Sequence, residues 1–205
     1  MICNVSNLHA TKLQTRLQKW NSVHFKPVSL AELGLSIQLN HLSSPCPRPE
    51  KSHQAFQVLH SNGIHHVRVQ YCGCTRQIPH HLQLLRRGWY PSSQHRVQTC
   101  ATFRLLELLH LLSLVGKGSV HDFYRTLEKV TNNTGVNTPK SRYPQLMRML
   151  LQWRHLKMLK RAGRFHDQAG VRATKEGELA VRCPSCPWPK INLPLGWNAV
   201  PKEKQ

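Results

Sequence analysis

Two pairs of closely spaced cysteines carry most of the chemistry this sequence offers. Cys72-Gly73-Cys74 places two thiols either side of one glycine, and Cys183-Pro184-Ser185-Cys186 places two thiols with two residues between them. Thiolates at either spacing reach a single metal ion together, zinc above all, and the glycine permits a tight reversal after a strand. Each pair is half of a four-ligand site. One completion joins them, with Cys72, Cys74, Cys183 and Cys186 around one ion if the C-terminal segment folds back, leaving Cys46 a bystander. A redox role for the second pair lacks the strand-then-helix pattern that such motifs accompany. Cys100 reads as a small buried apolar residue. Nothing in these patterns resembles an open catalytic coordination site, so the role of the metal is structural.

The charge balance points to a polyanionic partner. Lys and Arg number 29 against 9 Asp and Glu, a formal net charge of +20, and nucleic-acid phosphates are the commonest macromolecular counterions for such an excess. The densest positive run is Lys140 to Arg164, with eight Lys or Arg and no acid. Leu146, Met149, Leu150, Trp153 and Leu156 recur within it at helical spacing and belong to the core. Arg148, Arg154, His155 and Arg161 fall on other faces, and Lys157 lies near the apolar stripe. With Arg164, these six are the candidate phosphate contacts, helped by Arg86 and Arg87. No residue pattern assigns bases.

The elements that must position these groups are legible in outline. Leu35, Ile37 and Leu39 alternate, as do Phe56 and Val58, and Val67, Val69 and Tyr71, each run bounded by turn-forming residues. Asn62-Gly63 makes a hairpin of about residues 55 to 72, and Ser43 to Pro49 is a loop. From His81 onward the pattern is helical. Thr99 is the expected cap of a helix ending at Gly116, Ser119 of one through about Val130, and a third runs from about Tyr143 to Arg161. The sequence therefore predicts an α+β fold: a small antiparallel zinc-stabilised sheet followed by a three-helix subdomain. The opening residues lack the apolar stretch of a secretion signal, which predicts reduced cysteines. The most apolar stretch, Leu105 to Val115, is short and carries Glu107 and His110, as a buried helix does.

Several motifs occur in a fixed order: Leu33-Gly34-Leu35-Ser36-Ile37-Gln38-Leu39, Val58 to His65, Tyr71 to Cys74, Gln83 to Pro91, Gln152 to Leu156 and Cys183 to Pro187. In that order they resemble the CxC type-2-like cysteine-cluster domain of fungal KDZ (Kyakuja-Dileera-Zisupton) transposases, over about Cys3 to Trp197. The resemblance implies that Cys72 and Cys74 are the namesake pair and that His41 and Cys46 are the best candidates to complete their site, with His60 and His65 as substitutes. It also implies that Cys3 and His9 are the last ligands of an upstream zinc finger. The expected organisation is then a finger remnant and linker over 1–28, the cysteine-cluster domain over 29–197 and a tail over 198–205. Within the domain, 29–80 is the sheet part, 81–165 the helical part and 166–197 the CxxC segment.

In that family a nuclease-type catalytic domain follows, and two-metal DNA cleavage needs clustered carboxylates. Here Asp122 and Asp167 are the only Asp, and seven Glu are scattered. The expectation is a non-catalytic, nuclear, zinc-binding module, a truncated or relic form of a transposase. Its partner is DNA, at transposon ends or nonspecifically, or a transposase catalytic domain that it docks; no membrane or small-molecule substrate is expected. A decayed fragment without activity is the remaining alternative.

Overall fold

The structure is a computed structural model that describes residues 18–34, 36–41, 44–74, 78–134, 140–180, 183, 185–188, 191–193 and 195–196. The expected finger remnant with Cys3 and His9 lies outside them, as do Leu35 and the tail. The chain divides into two compact units, 1–154 and 155–205.

Among the described residues the first unit holds nine strands in three sheets. β1 (Gln18–Trp20) and β2 (Phe25–Pro27) form an antiparallel ribbon. β3 (Ser36–Gln38), β7 (Arg68–Cys72) and β4 (Pro49–Lys51) form a sheet in the order β3-β7-β4. β6 (Gly63–His66), β5 (Gln57–His60), β9 (Thr99–Thr102) and β8 (Trp89–Pro91) form the third, in that order. The predicted turn is present: Gly63 has φ +139°, and a Cβ there would sit 2.9 Å from Thr131 Oγ1. After the hairpin the chain changes partners at Val67, so that β6 and β7 are nearly one strand shared between two sheets.

The two larger sheets are mixed and not antiparallel as predicted. β3 pairs parallel with β7, and β5 parallel with β9. Parallel neighbours need long crossovers, and both are supplied by chain that itself forms strands and helices. β8 and β9 arise in what reads as helical sequence. Thr99 is accordingly in a strand, and Thr102 takes the capping role, its hydroxyl accepting from the Leu105 N–H at 3.3 Å.

The four-stranded sheet is buried on both faces, and its alternation sorts neighbours into two cores. Phe56, Val58 and Cys100 join Ile37, Leu39, Val67, Val69, Tyr71 and Leu84 on one side. Leu59, Ile64 and Ala101 meet the helices on the other. α1 (His80–Arg86), α2 (Phe103–Val115), α3 (Val120–Thr131) and α4 (Tyr143–Arg161) follow in order, α3 and α4 close to where the sequence places them and α2 starting after Thr102 instead of Thr99. Ser119 caps α3, accepting from the Asp122 N–H at 3.1 Å, and Gly163 follows α4 at φ +70°. Leu105, Leu106, Leu109, Tyr124, Leu127, Leu146, Met149 and Leu150 fill the second core, so α2, α3 and α4 share it with the sheet. On the outer side of α2 Leu108 and Leu112 are exposed. The α3 end is tied to the hairpin by Thr131, whose hydroxyl accepts from the Ile64 N–H and donates to the Leu127 carbonyl, both at 2.7 Å. No described helix is long and apolar enough to cross a membrane.

The second unit contains the 3-10 turn Val171–Ala173 and a series of turns. Arg164 pairs with both Asp167 and Glu178, and the Ala169 N–H together with Arg164 holds the Asp167 carboxyl below its usual range.

Two outcomes follow from this packing. Leu150→Ala removes a fully buried side chain and is expected to cost about 2–5 kcal/mol in urea unfolding, whereas Leu112→Ala, at an exposed position, stays within about 0.5 kcal/mol. His60 is buried against Thr102, with Nδ1 2.8 Å from Oγ1, and burial, then Arg104, lowers its pKa below 6.5. A depressed histidine stabilises the fold above the unfolded pKa and loses that contribution as pH falls through the folded value. Wild type should therefore lose stability below pH 6.5 more steeply than His60→Asn, read as urea midpoints from pH 7.5 to 5.

Candidate metal centre

Three chain segments arrive at one edge of the β3-β7-β4 sheet. β3 and β7 are parallel, with Gln38 opposite Gln70, so both end at the same edge. His41 follows β3 there, and Cys72 and Cys74 close β7. β4 is antiparallel to β7 and begins opposite its end, Pro49 facing Cys72, which brings the preceding Cys46 to the same place. The ligand atoms of His41, Cys46, Cys72 and Cys74 all lie within 4.8 Å of one another.

Two glutamines hold the geometry. Gln38 bridges the loop after β3: its Nε2 donates to the Ser44 carbonyl at 2.9 Å and its Oε1 accepts from the Cys46 N–H at 3.0 Å. Asn40 turns that loop at φ +64°, a conformation asparagine tolerates better than most residues. Gln83, on α1 and 1% exposed, grips Cys72 twice. Its Oε1 accepts from the Cys72 N–H at 2.8 Å, and its Nε2 donates to the Cys72 and Ile78 carbonyls at 2.9 and 2.8 Å. Below them Tyr71 stacks on His80 at 4.0 Å, and His80 pairs with Glu50 at 2.8 Å. Gly73 is required for a reason other than the predicted reversal. Its φ is not positive, but its N–H donates to the Arg48 carbonyl at 2.9 Å, and a Cβ would stand 3.2 Å from that carbonyl and 2.6 Å from Glu50 Oε1.

The donor set fits a tetrahedral thiolate-imidazole site. Bond lengths of about 2.3 Å to sulfur and 2.0 Å to nitrogen put ligand atoms about 3.5–3.8 Å apart around a tetrahedron. Cys46 Sγ is 3.7 Å from Cys74 Sγ, and His41 Nε2 is 3.6 Å from Cys74 Sγ and 3.1 Å from Cys72 Sγ. The neighbouring thiols share protons that a bound cation would displace. The Cys74 backbone N–H supports the Cys72 thiolate and brings its pKa down to about 7. The proton shared with Cys72 pushes Cys74 up to about 11. One thiolate forms readily, and the second needs a cation to neutralise both.

Family comparison reaches the same residues. The family model described as the CxC2-like cysteine cluster associated with KDZ transposases matches residues 30–135, just over half of the chain and every member of the cluster. The chain belongs to this family. No curated protein and no solved structure matches it. The CxC2 cluster accompanies transposases and is not itself a catalytic domain.

Within this CxC2 domain Cys46 joins His41, Cys72 and Cys74 as a ligand candidate, and all four lie in the first unit. His60 and His65 are not in the cluster; they bond Thr102 and Asn62. Cys183 and Cys186 form their own exposed pair in the second unit, where the hydrogen bond from Cys186 lowers the Cys183 thiol pKa and raises its own. Cys100 is fully buried, as expected. Of the predicted phosphate contacts in the first unit, Arg148 is exposed with Nη1 3.5 Å from the Ser92 carbonyl, and Arg154 is half-buried and donates to Ser113 Oγ at 2.7 Å. In the second unit Arg161 is exposed, His155 and Lys157 are half-buried, and Arg164 is in its two ion pairs. Arg142, from the same basic run, is buried and donates to Gln57 Oε1 at 3.0 Å. Trp153 packs against Tyr90 and Phe103.

Sequence reasoning missed Gln38 and Gln83, because a single inward glutamine leaves no periodic trace. Supporting residues of this kind typically change metal affinity 10–100-fold. Gln83→Ala and Gly73→Ala are expected to weaken metal binding by about that factor in competition against a chromophoric chelator.

Proposed function

We propose that this chain is a structural zinc module that binds DNA beside the catalytic part of a KDZ-type transposase, in the nucleus, at transposon ends or nonspecifically. The observation that carries the reading is the convergence of His41, Cys46, Cys72 and Cys74 within 4.8 Å, inside the family-matched region. Three thiolates and one imidazole select zinc over harder cations. Four protein ligands leave no open position, so the ion's work is to fix the sheet edge and its loops.

The net charge of +20 supports phosphate contact. Each unit offers exposed cations of its own: Arg86 and Arg148 in the first, Lys160 and Arg161 in the second. A second reading is favoured by α2, where Leu108, Leu111, Leu112 and Val115 are 39–84% exposed. On that reading the module docks a protein such as the transposase catalytic domain, and the charge serves solubility.

Zinc content and duplex affinity of the purified chain test both. We expect one zinc per chain at this centre, lost in Cys72→Ser. Duplex affinity by fluorescence anisotropy should fall with salt at a log-log slope of about −0.9 per phosphate and collapse with chelator. Salt-insensitive or absent duplex binding favours protein docking instead.

A further inference from the structure

Among the described residues the β1–β2 ribbon stands apart from both cores and is hydrogen-bonded to no other sheet. Trp20 faces Phe25 directly across it, so the two rings share one face, with centroids 5.0 Å apart. They are 53% and 61% exposed. Leaving two large aromatics in water on a two-stranded ribbon gives up the burial that stabilises such rings elsewhere.

The other face is as unusual. Lys19 lies directly opposite Lys26, both exposed, and like charges in that register destabilise a ladder. Among the described residues no carboxylate pairs with either lysine. The first acid in the sequence is Glu32. The tip is preorganised: Asn21 Oδ1 accepts from the N–H groups of Val23 and His24 at 3.1 and 2.8 Å. An aromatic face backed by uncompensated lysines on a ribbon with a hydrogen-bonded tip is complementary to a chain of phosphates carrying accessible π-faces.

We propose that this ribbon is a binding site for unpaired nucleotides, with bases stacked on Trp20 and Phe25 and the adjoining phosphates held by Lys19 and Lys26. Single strands are the substrate class because duplex bases are stacked on one another and present no free face to these rings. An anionic lipid surface would also attract lysines and aromatics, but inserting this tip would carry Asn21 and Ser22 out of water along with the rings, a cost that stacking on bases avoids. The inference rests on the nucleic-acid reading above and names the strand form and place of contact.

The test uses the full zinc-loaded chain with fluorescein-labelled dT20, a duplex of equal length, and phosphatidylserine vesicles. Trp20→Ala/Phe25→Ala is expected to weaken dT20 binding about tenfold or more while changing duplex affinity little. Zinc content and the thermal midpoint should stay unchanged, because the ribbon contributes to neither core. Lys19→Gln/Lys26→Gln should reduce the salt slope on dT20 by about 1.4, at roughly 0.7 per single-strand phosphate. Undiminished dT20 binding in the aromatic variant overturns the proposal even if duplex binding is strong. Binding to vesicles but not to dT20 overturns it in favour of a membrane surface. Loss of duplex binding alone in wild type, with aromatic-dependent dT20 binding retained, would instead overturn the duplex reading and leave this one standing.

Discussion

The direction of one strand pair decides where the chemistry can be. β3 and β7 run parallel, so the residues that follow each of them emerge at the same sheet edge. Were they antiparallel, His41 and Cys72 would leave from opposite ends of the sheet. β4 pairs antiparallel with β7 from the other side, and that opposite sense is what brings Cys46 in just ahead of it. A metal ion at this edge would tie the exit of β3, the entry of β4 and the exit of β7 to one point. Strands this short have few ladder hydrogen bonds to hold their register, and ligation supplies what the ladders lack.

The support of that point reaches into the cores. Gln83 belongs to α1, next to Leu84, which is fully buried in the same core as Val69 and Trp89. The helix therefore cannot shift without moving the backbone groups of Cys72 that Gln83 holds. Gln38 is likewise flanked by Ile37 and Leu39, both in the same core. Packing thus sets the glutamines, and the glutamines set the ligands.

How much of this the sequence disclosed depends on what kind of signal each feature leaves. Alternation marked Ile37, Leu39, Phe56, Val58, Val67, Val69 and Tyr71 as inward, and all are buried. Caps and stops placed α3 and α4 closely. Strand direction was not legible, because side-chain alternation is the same for parallel and antiparallel pairing. β8 and β9 were missed since runs of three and four residues are too short for a period to show. Cys72 and Cys74 were evident from type and spacing, whereas His41 and Cys46 came through family resemblance. The charge run was evident too, but not that Arg142 turns inward to Gln57 or that Arg154 is engaged by Ser113, partners distant in sequence.

The parallel ladders also set the order in which the chain can become whole. β5 must wait for β9, about forty residues later, before its second edge is covered, and β3 must wait for β7. Pairings so distant in sequence form slowly and leave strand edges open meanwhile. A chain emerging from the ribosome at about 5–20 residues per second therefore presents Cys46 several seconds of synthesis ahead of the helix that will steady Cys72. During that interval its thiols are unshielded, and a metal ion captured early by the cysteines would safeguard biogenesis as well as fix the finished sheet edge.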